Sequence, residues 1–338
     1  FYILVILYVF SWLEFVFNEK YLGDIVANVI NGNGSNSKNI AARKGKGLGI
    51  VSQIMMILES VSLGYYYFEM AVLLRDSLLV NGILYNSEVW YGITKSQVEE
   101  LEEVDKLLMR RVLEAPCSTP VEALYLELGL IPIKYILKVR RLMFLHYVLN
   151  LNEEEMLSQF FWAQWKSPVS SDWTETVKED MDILKIGRTI NEIRKLKKCV
   201  FAKIVKESCK TVAFEELLDM KNSHSKMTNI FYGSLKIQTY LKDKRIRPDI
   251  AKTLFRFRTR MVNVRDNFKT GNPFLSCPLG DNKLDDQQHL LKCSQLEPSE
   301  NSDLNYFDIF SNDVDKMLII VTTLKQKFEA REKILETS

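Results

Sequence analysis

The sequence predicts a mainly α protein, and three observations lead there. Glycine (14) and proline (8) are scarce among 338 residues, so long stretches run without a chain-breaking residue. Apolar residues recur at spacings of three and four in one segment after another, the period of an amphipathic helix. With 47% hydrophobic and 26% charged residues, the chain can bury a core and suits about two domains. That composition excludes a disordered protein. Five cysteines, an odd number spread thinly, exclude a disulfide-stapled secreted domain and point to a reducing intracellular compartment, cytoplasm or nucleus.

Phe1 to Phe17 is a run of large apolar residues broken by Ser11 and Glu14. It sits at the lower limit of the roughly 17 to 25 residues that cross a bilayer, and it lacks the basic start and small-residue cleavage site of a signal peptide. A buried strand or helix suits it better than a membrane anchor. Lys20 to Val29 reads as a short strand or hairpin arm, and Asn31 to Asn39, rich in Asn, Gly and Ser, as a flexible turn. A helix is expected from Ile40, interrupted by the glycines at 45, 47 and 49 and resuming with Ile50, Ile54, Ile57, Leu58 and Val61. KGKGLG at 44 to 49 lacks the spacing and the closing Lys-Ser or Lys-Thr of a phosphate loop. Tyr65 to Val80 continues with Ala71, Leu74 and Leu78 on one face and Arg75 among the polar positions.

Thr94 to Val112 carries the clearest helix start, with Thr94 or Ser96 as cap and a stripe of Leu101, Val104, Leu108 and Val112. Its glutamates lie early and Lys106, Arg110 and Arg111 late, which complements the helix dipole. A short helix over Val121 to Leu128 follows, then one opened by Pro132 that passes through Arg140, Arg141 and His146. His146, on an apolar helix with no catalytic partner at useful spacing, reads as a core residue. Glu153 to Trp165 is a further helix, and Ser167 to Asp172, with Pro168 and three serines, is the expected domain boundary. Thr189 and Glu192 match a capping box, ahead of an apolar stripe of Ile193, Leu196, Val200, Ile204 and Val205. Pro248 opens a basic helix with Ile250, Leu254, Phe257 and Met261 for packing, and Asp313 to Leu335 forms a terminal amphipathic helix.

A net charge of +2 conceals strong local imbalance. Between Tyr240 and Thr270 ten basic residues face three acids, a net of +7, whereas Asp281 to Asp315 holds nine acids against two lysines. Arginines at the first density neutralise phosphates, and the interleaved Phe255 and Phe257 are rings of the kind on which unpaired bases stack, although Phe257 and Met261 share a helix face that points to the core.

KYLGDIV at 20 to 26, GYYYFEMAVLLRDSLLVNGILYNSEVWYGIT at 64 to 94, VEELEEVDKLLMRRVLEAP at 98 to 116 and PVEALYLELGLIPIKYILKVRRLMFLHYVL at 120 to 149 stand in a distinctive order. SDWTETVKEDMDILKI at 171 to 186, HSKMTNIFYGSLKIQTYL at 224 to 241 and a Cys and His cluster at 277 to 293 follow. Together these blocks closely resemble the region after the palm in non-LTR (LINE-type) retrotransposon reverse transcriptases. The resemblance covers most of residues 20 to 295. It implies a primer-grip-like hairpin at 20–37, a thumb-like helical domain at 38–166, a basic helical domain at 167–270 and a degenerate zinc knuckle at 271–295; outside it the sequence reads as an apolar segment of uncertain origin at 1–19 and an acidic linker with a terminal helix at 296–338.

On this resemblance Tyr21, Leu22 and Gly23 form the primer-grip turn, and Lys242, Lys244, Arg245, Arg247, Arg256, Arg258, Arg260 and Arg265 contact RNA or DNA. The family's knuckle has two cysteines two residues apart, then histidine, then cysteine four residues on. Here Cys277, His289 and Cys293 match, but Gly280 replaces the second cysteine, which puts zinc binding in doubt because structural zinc sites take four ligands. Asp281 or Asp285 is the available oxygen substitute. The family's catalytic aspartates belong to a palm upstream of KYLG, and Phe1 to Phe17 contains one acid, Glu14. The single adjacent pair, Asp285 and Asp286, reads as a solvated loop.

The expectation is therefore a fragment, beginning at Phe1 rather than Met, that holds template and primer without polymerising alone and that pairs with an upstream palm if one exists. The competing readings are a non-enzymatic helical interaction protein attached to a membrane through Phe1 to Phe17, and a retroelement relic without function.

Overall fold

The computed structural model describes residues 19–21, 24–26, 34–60, 63–167, 172–268, 274–296, 304–311 and 313–337. The chain is mainly helical, as the composition predicts. Phe1 to Phe17 lies outside the described residues; among those described, no helix is long and apolar enough to cross a membrane.

Two three-residue strands, β1 (Glu19–Tyr21) and β2 (Asp24–Val26), pair antiparallel with Lys20 opposite Ile25. Leu22 and Gly23 lie outside the described residues, so of the expected primer-grip turn only the Tyr21 backbone is described. Helix α1 (Gly34–Ser60) then runs unbroken through all three glycines, against the expected flexible turn at Asn31 to Asn39 and the expected interruption. Gly47 shows why: a Cβ there would stand 2.8 Å from Ile83 Cγ2 and 2.9 Å from Val104 Cγ1, so the glycine permits close packing of the helix.

The remaining α-helices of six residues or more are α2 (Tyr67–Leu74) with its continuation through a π turn Arg75–Val80, α3 (Lys95–Leu113), α4 (Val121–Leu128), α5 (Ile133–Leu149), α6 (Met156–Lys166), α7 (Trp173–Ile183), α8 (Ile190–Lys195), α9 (Lys198–Ser223), α10 (Pro248–Arg258), α11 (Gln287–Lys292) and α12 (Val314–Thr337). Two caps form as the sequence predicts. Thr94 Oγ1 accepts from Gln97 N while Gln97 Oε1 accepts from Thr94 N at the start of α3, and Thr189 with Glu192 closes the capping box of α8. The expected stripe behind α8 shifts. Ile193 and Val205 are buried as expected, but the helix ends at Leu196, Val200 is 44% exposed, and Phe201 and Cys209 turn inward in its place.

The chain divides into two compact units, one of residues 1–54, 74–107 and 131–216, the other of 55–73, 108–130 and 217–338. Residues on both sides of the expected boundary at Ser167 to Asp172 belong to the first unit: α6 packs on α7, and Asp172 caps α7 by accepting from Glu175 N. In that unit α5 is the central helix and touches α6, α7 and α8. His146 is buried, stacked on Phe201 with Nε2 2.9 Å from the Leu196 carbonyl, the core role expected of it. Arg75, expected on a polar face, is 2% exposed and makes a bidentate pair of 2.7 Å bonds with Asp105. Arg141 likewise donates to buried Asp180, so it adds nothing to surface charge.

The second unit is built on α10, α12 and the 3-10 turn Tyr306–Phe310. Leu254, Phe255, Phe257, Ile309, Ile320 and Leu324 fill its core. The terminal helix, whose partner the sequence leaves open, thus packs on α10 and α11 within its own unit. Gly129 (φ +67°) ends α4 where a Cβ would come within 2.2 Å of the Lys236 and Ile237 backbone, beside an antiparallel bridge from Leu128 to Ile237.

Candidate metal centre

The centre begins with local turn chemistry in the second unit. Cys277 enters a tight loop in which its carbonyl accepts from Gly280 N at 3.2 Å, and Gly280 (φ +90°) lies in the left-handed region that favours glycine. Asp286 then caps α11 by accepting from His289 N, and the one-turn spacing from His289 to Cys293 turns both toward Cys277. The ligand atoms of Cys277, His289 and Cys293 lie within 4.8 Å of one another and all three residues are buried, so the group can hold a metal ion.

The separations test which ion geometry fits. A tetrahedral zinc with Zn–S bonds of about 2.3 Å holds its two sulfurs about 3.8 Å apart; Cys277 Sγ and Cys293 Sγ are 3.8 Å apart. That is far beyond the roughly 2.05 Å of a disulfide, and both are free thiols. Nitrogen and oxygen ligands at about 2.0 to 2.1 Å fall about 3.4 Å apart on a tetrahedron; His289 Nε2 and Asp281 Oδ2 are 3.4 Å apart. The approach lacks hydrogen-bond geometry, leaving His289 Nε2 buried without a hydrogen-bond partner, a nitrogen lone pair suited to a metal. Burial, with the neighbouring Cys277 thiol, raises the Cys293 thiol above its usual range, so a cation is what would hold it as thiolate.

The two candidate oxygen substitutes separate cleanly. Asp285, expected in a solvated loop, is 2% exposed, and its Oδ2 accepts from Arg331 at 2.8 Å and from Arg265 N at 2.9 Å, so its carboxylate is committed to a buried ion pair and is not one of the clustered ligand groups. Asp286 is the α11 cap. Asp281 stands outside the three-atom group but faces its histidine, with Oδ2 fixed by Ser294 N at 3.1 Å. Asp281 stands one residue beyond Gly280, the position at which the resemblance places the second cysteine.

The eight basic residues expected to contact nucleic acid meet different fates. Arg258 is a correction: it is 4% exposed, donates to Glu127 at 3.3 Å and the Ile309 carbonyl at 2.7 Å, and lies over the Tyr240 ring. A two-residue step on a helix turns a side chain through about 200°, so Arg256 and Arg258 face opposite ways. Phe255 and Phe257 are buried and stack on no base. Arg245 pairs with Asp243 and Asp315, Arg247 with Asp249, and Arg260 with Asp266; Arg265 donates to the Ser276 carbonyl. Lys242 is exposed, Lys244 is exposed with its ammonium 5.4 Å from the Tyr65 ring centroid, and Arg256 is half-buried.

Comparison of the chain with protein-family models, with curated proteins and with solved structures gave no match in any of the three.

Proposed function

We propose that this chain holds RNA and DNA strands without transferring nucleotides, as the thumb and carboxy-terminal part of a non-LTR retrotransposon reverse transcriptase, and that one zinc ion staples its second unit. The observation that carries the reading is the convergence of Cys277, His289 and Cys293, which are 12 and 4 residues apart in sequence, on separations that suit tetrahedral zinc. The resemblance implies a Cys and His centre at this place, and thiolate with imidazole is a ligand set that selects zinc. Asp281 supplies the fourth bond after a small side-chain rotation. The ion's role is structural: it ties the loop at Cys277 to α11, in the manner of closed zinc sites that contribute folding free energy. The adjacent aspartates are engaged in an ion pair and a helix cap, which fits a chain that binds strands and leaves chemistry to a palm elsewhere.

The test is metal content of the purified chain together with binding to a primed RNA template across a salt series. One zinc per chain is expected, lost in Cys293→Ser and bound about 10- to 100-fold more weakly in Asp281→Asn. Template affinity should fall steeply with salt. A chain free of zinc that takes none up, or one that ignores the template at low salt, ends the corresponding half of the reading.

A further inference from the structure

The first unit carries a second, unassigned feature. A cleft of about 430 Å³ opens between α6, α7 and the start of α8, lined by Trp162, Trp165, Lys178, Asp182 and Arg188. Its volume lies within the roughly 300 to 1,000 Å³ of small-ligand pockets. Both tryptophans are half-buried: Trp165 packs against buried Phe161 with ring centroids 5.5 Å apart, and Lys178 lies 4.7 Å over its ring. The rings are therefore held in place while part of each faces the opening.

From the cleft a basic run leads away. Between Lys185 and Lys198 stand six basic residues and one acid, Glu192, whose carboxylate is occupied by the Thr189 cap. Lys185 pairs with Glu215 and Arg194 with Glu153, but Arg188, Lys195, Lys197 and Lys198 are exposed and have no carboxylate within ion-pair distance among the described residues. Helix α8, six residues and about 9 Å long, starts at the cleft with Ile190 and carries the chain to Lys195, a span comparable to two or three nucleotides.

We propose that this strip binds single-stranded nucleic acid, with a base inserted beside Trp162 and Trp165 and the backbone phosphates tracking along Arg188, Lys195, Lys197 and Lys198. The inference rests on the nucleic-acid reading above and names its site. Aromatic faces beside unpaired cations are the arrangement that takes a base together with its phosphate, whatever the sequence. Asp182, the single acid in the wall, suits a base edge rather than a phosphate, because a carboxylate accepts from an exocyclic amine.

Fluorescence anisotropy of a labelled single strand of roughly 12 nucleotides, bound by the full chain across a salt series, tests it. Substituting Lys195, Lys197 and Lys198 together by alanine should lower the salt slope by about 2, at roughly 0.7 per lost phosphate contact. Trp162→Leu should weaken binding roughly 5- to 100-fold, the loss of one stacked base. The lysine variant alters only exposed side chains and tests the site even if the tryptophan variant misfolds. Wild-type binding that neither variant changes would overturn the strip and leave the general reading standing; no wild-type binding at low salt would sink both. Equal binding to phosphatidylserine vesicles that the oligonucleotide does not displace would reassign the strip to membranes and overturn the proposal.

Discussion

Replacing Arg258 by alanine should unfold the second unit at much lower denaturant while leaving surface binding intact. The guanidinium is 4% exposed and is the cation facing Glu127, which is fully buried and already has one carboxylate oxygen without a hydrogen-bond partner. Without Arg258 the carboxylate keeps the 2.8 Å bond from Tyr232, and the Ile309 carbonyl loses its 2.7 Å donor. Breaking a buried pair from one side costs about 3 to 5 kcal/mol, because the other charge stays buried. At about 4 kcal/mol, and a urea slope of about 2 kcal/mol per molar, the midpoint of that unit falls by about 2 M.

Two probes separate the units. Trp90, Trp162, Trp165 and Trp173 all belong to the first, so tryptophan fluorescence should keep its transition while far-UV circular dichroism acquires an early one. The double substitution Glu127→Leu with Arg258→Met should recover most of the loss, since well-packed apolar replacements of buried pairs are often neutral or stabilising. A midpoint shift below about 0.3 M, accompanied by lost affinity for a primed template, would refute the reasoning and return Arg258 to the binding surface.

Other outcomes follow from single sites. Gly129→Ala should destabilise the second unit by about 2 kcal/mol or more in urea melts, combining a left-handed φ of +67° with a clash against backbone that cannot rotate away. Cys209, fully buried with its thiol pushed up to about 11, should resist iodoacetamide at neutral pH while exposed Cys117 and Cys199 react, as peptide mapping of the alkylated protein will report. Burial holds Glu102 above the usual carboxylate range, only partly offset by the Lys134 amide and Lys106. A raised folded value means the folded state binds the extra proton, so this residue costs stability as pH rises from the ordinary glutamate value through the folded one. Glu102→Gln should therefore raise the urea midpoint at pH 7 and leave it unchanged near pH 3.

What the sequence made legible was local. The α3 cap and its stripe, the α8 capping box and the core position of His146 each depend on residues within a few turns, and each forms as expected. What stayed hidden depends on contacts distant in sequence. The glycines of α1 read as breakers because Ile83 and Val104, which need the space at Gly47, lie far along the chain. Asp105 stands 30 residues from Arg75 and Glu127 131 from Arg258, so neither arginine announces that it is buried. The Cys and His group was legible as three candidate ligands, but the choice between Asp281 and Asp285 as a candidate fourth needed Arg331, 46 residues beyond Asp285.

The same lesson bears on where strands would bind on the proposed reading. A window count treats every arginine as solvated, and the +7 stretch from 240 to 270 loses much of its field once folded: Arg258 is spent on Glu127, Lys252 on Glu114, Arg260 on Asp266, and Arg245 on two aspartates. The less conspicuous run from 185 to 198 keeps four exposed cations, of which Arg188 lines a cleft with two tryptophans. Counterion release scales with the phosphates a protein can reach, so unpaired exposed charge predicts affinity better than total charge. Neutralising Arg245 and Arg247 should consequently change the salt slope less than neutralising Lys197 and Lys198, although the first pair lies in the more basic sequence. Equal slopes for the two double variants, measured on the same oligonucleotide, would mean that the ion pairs at Asp243, Asp249 and Asp315 open on binding and that both surfaces track the strand.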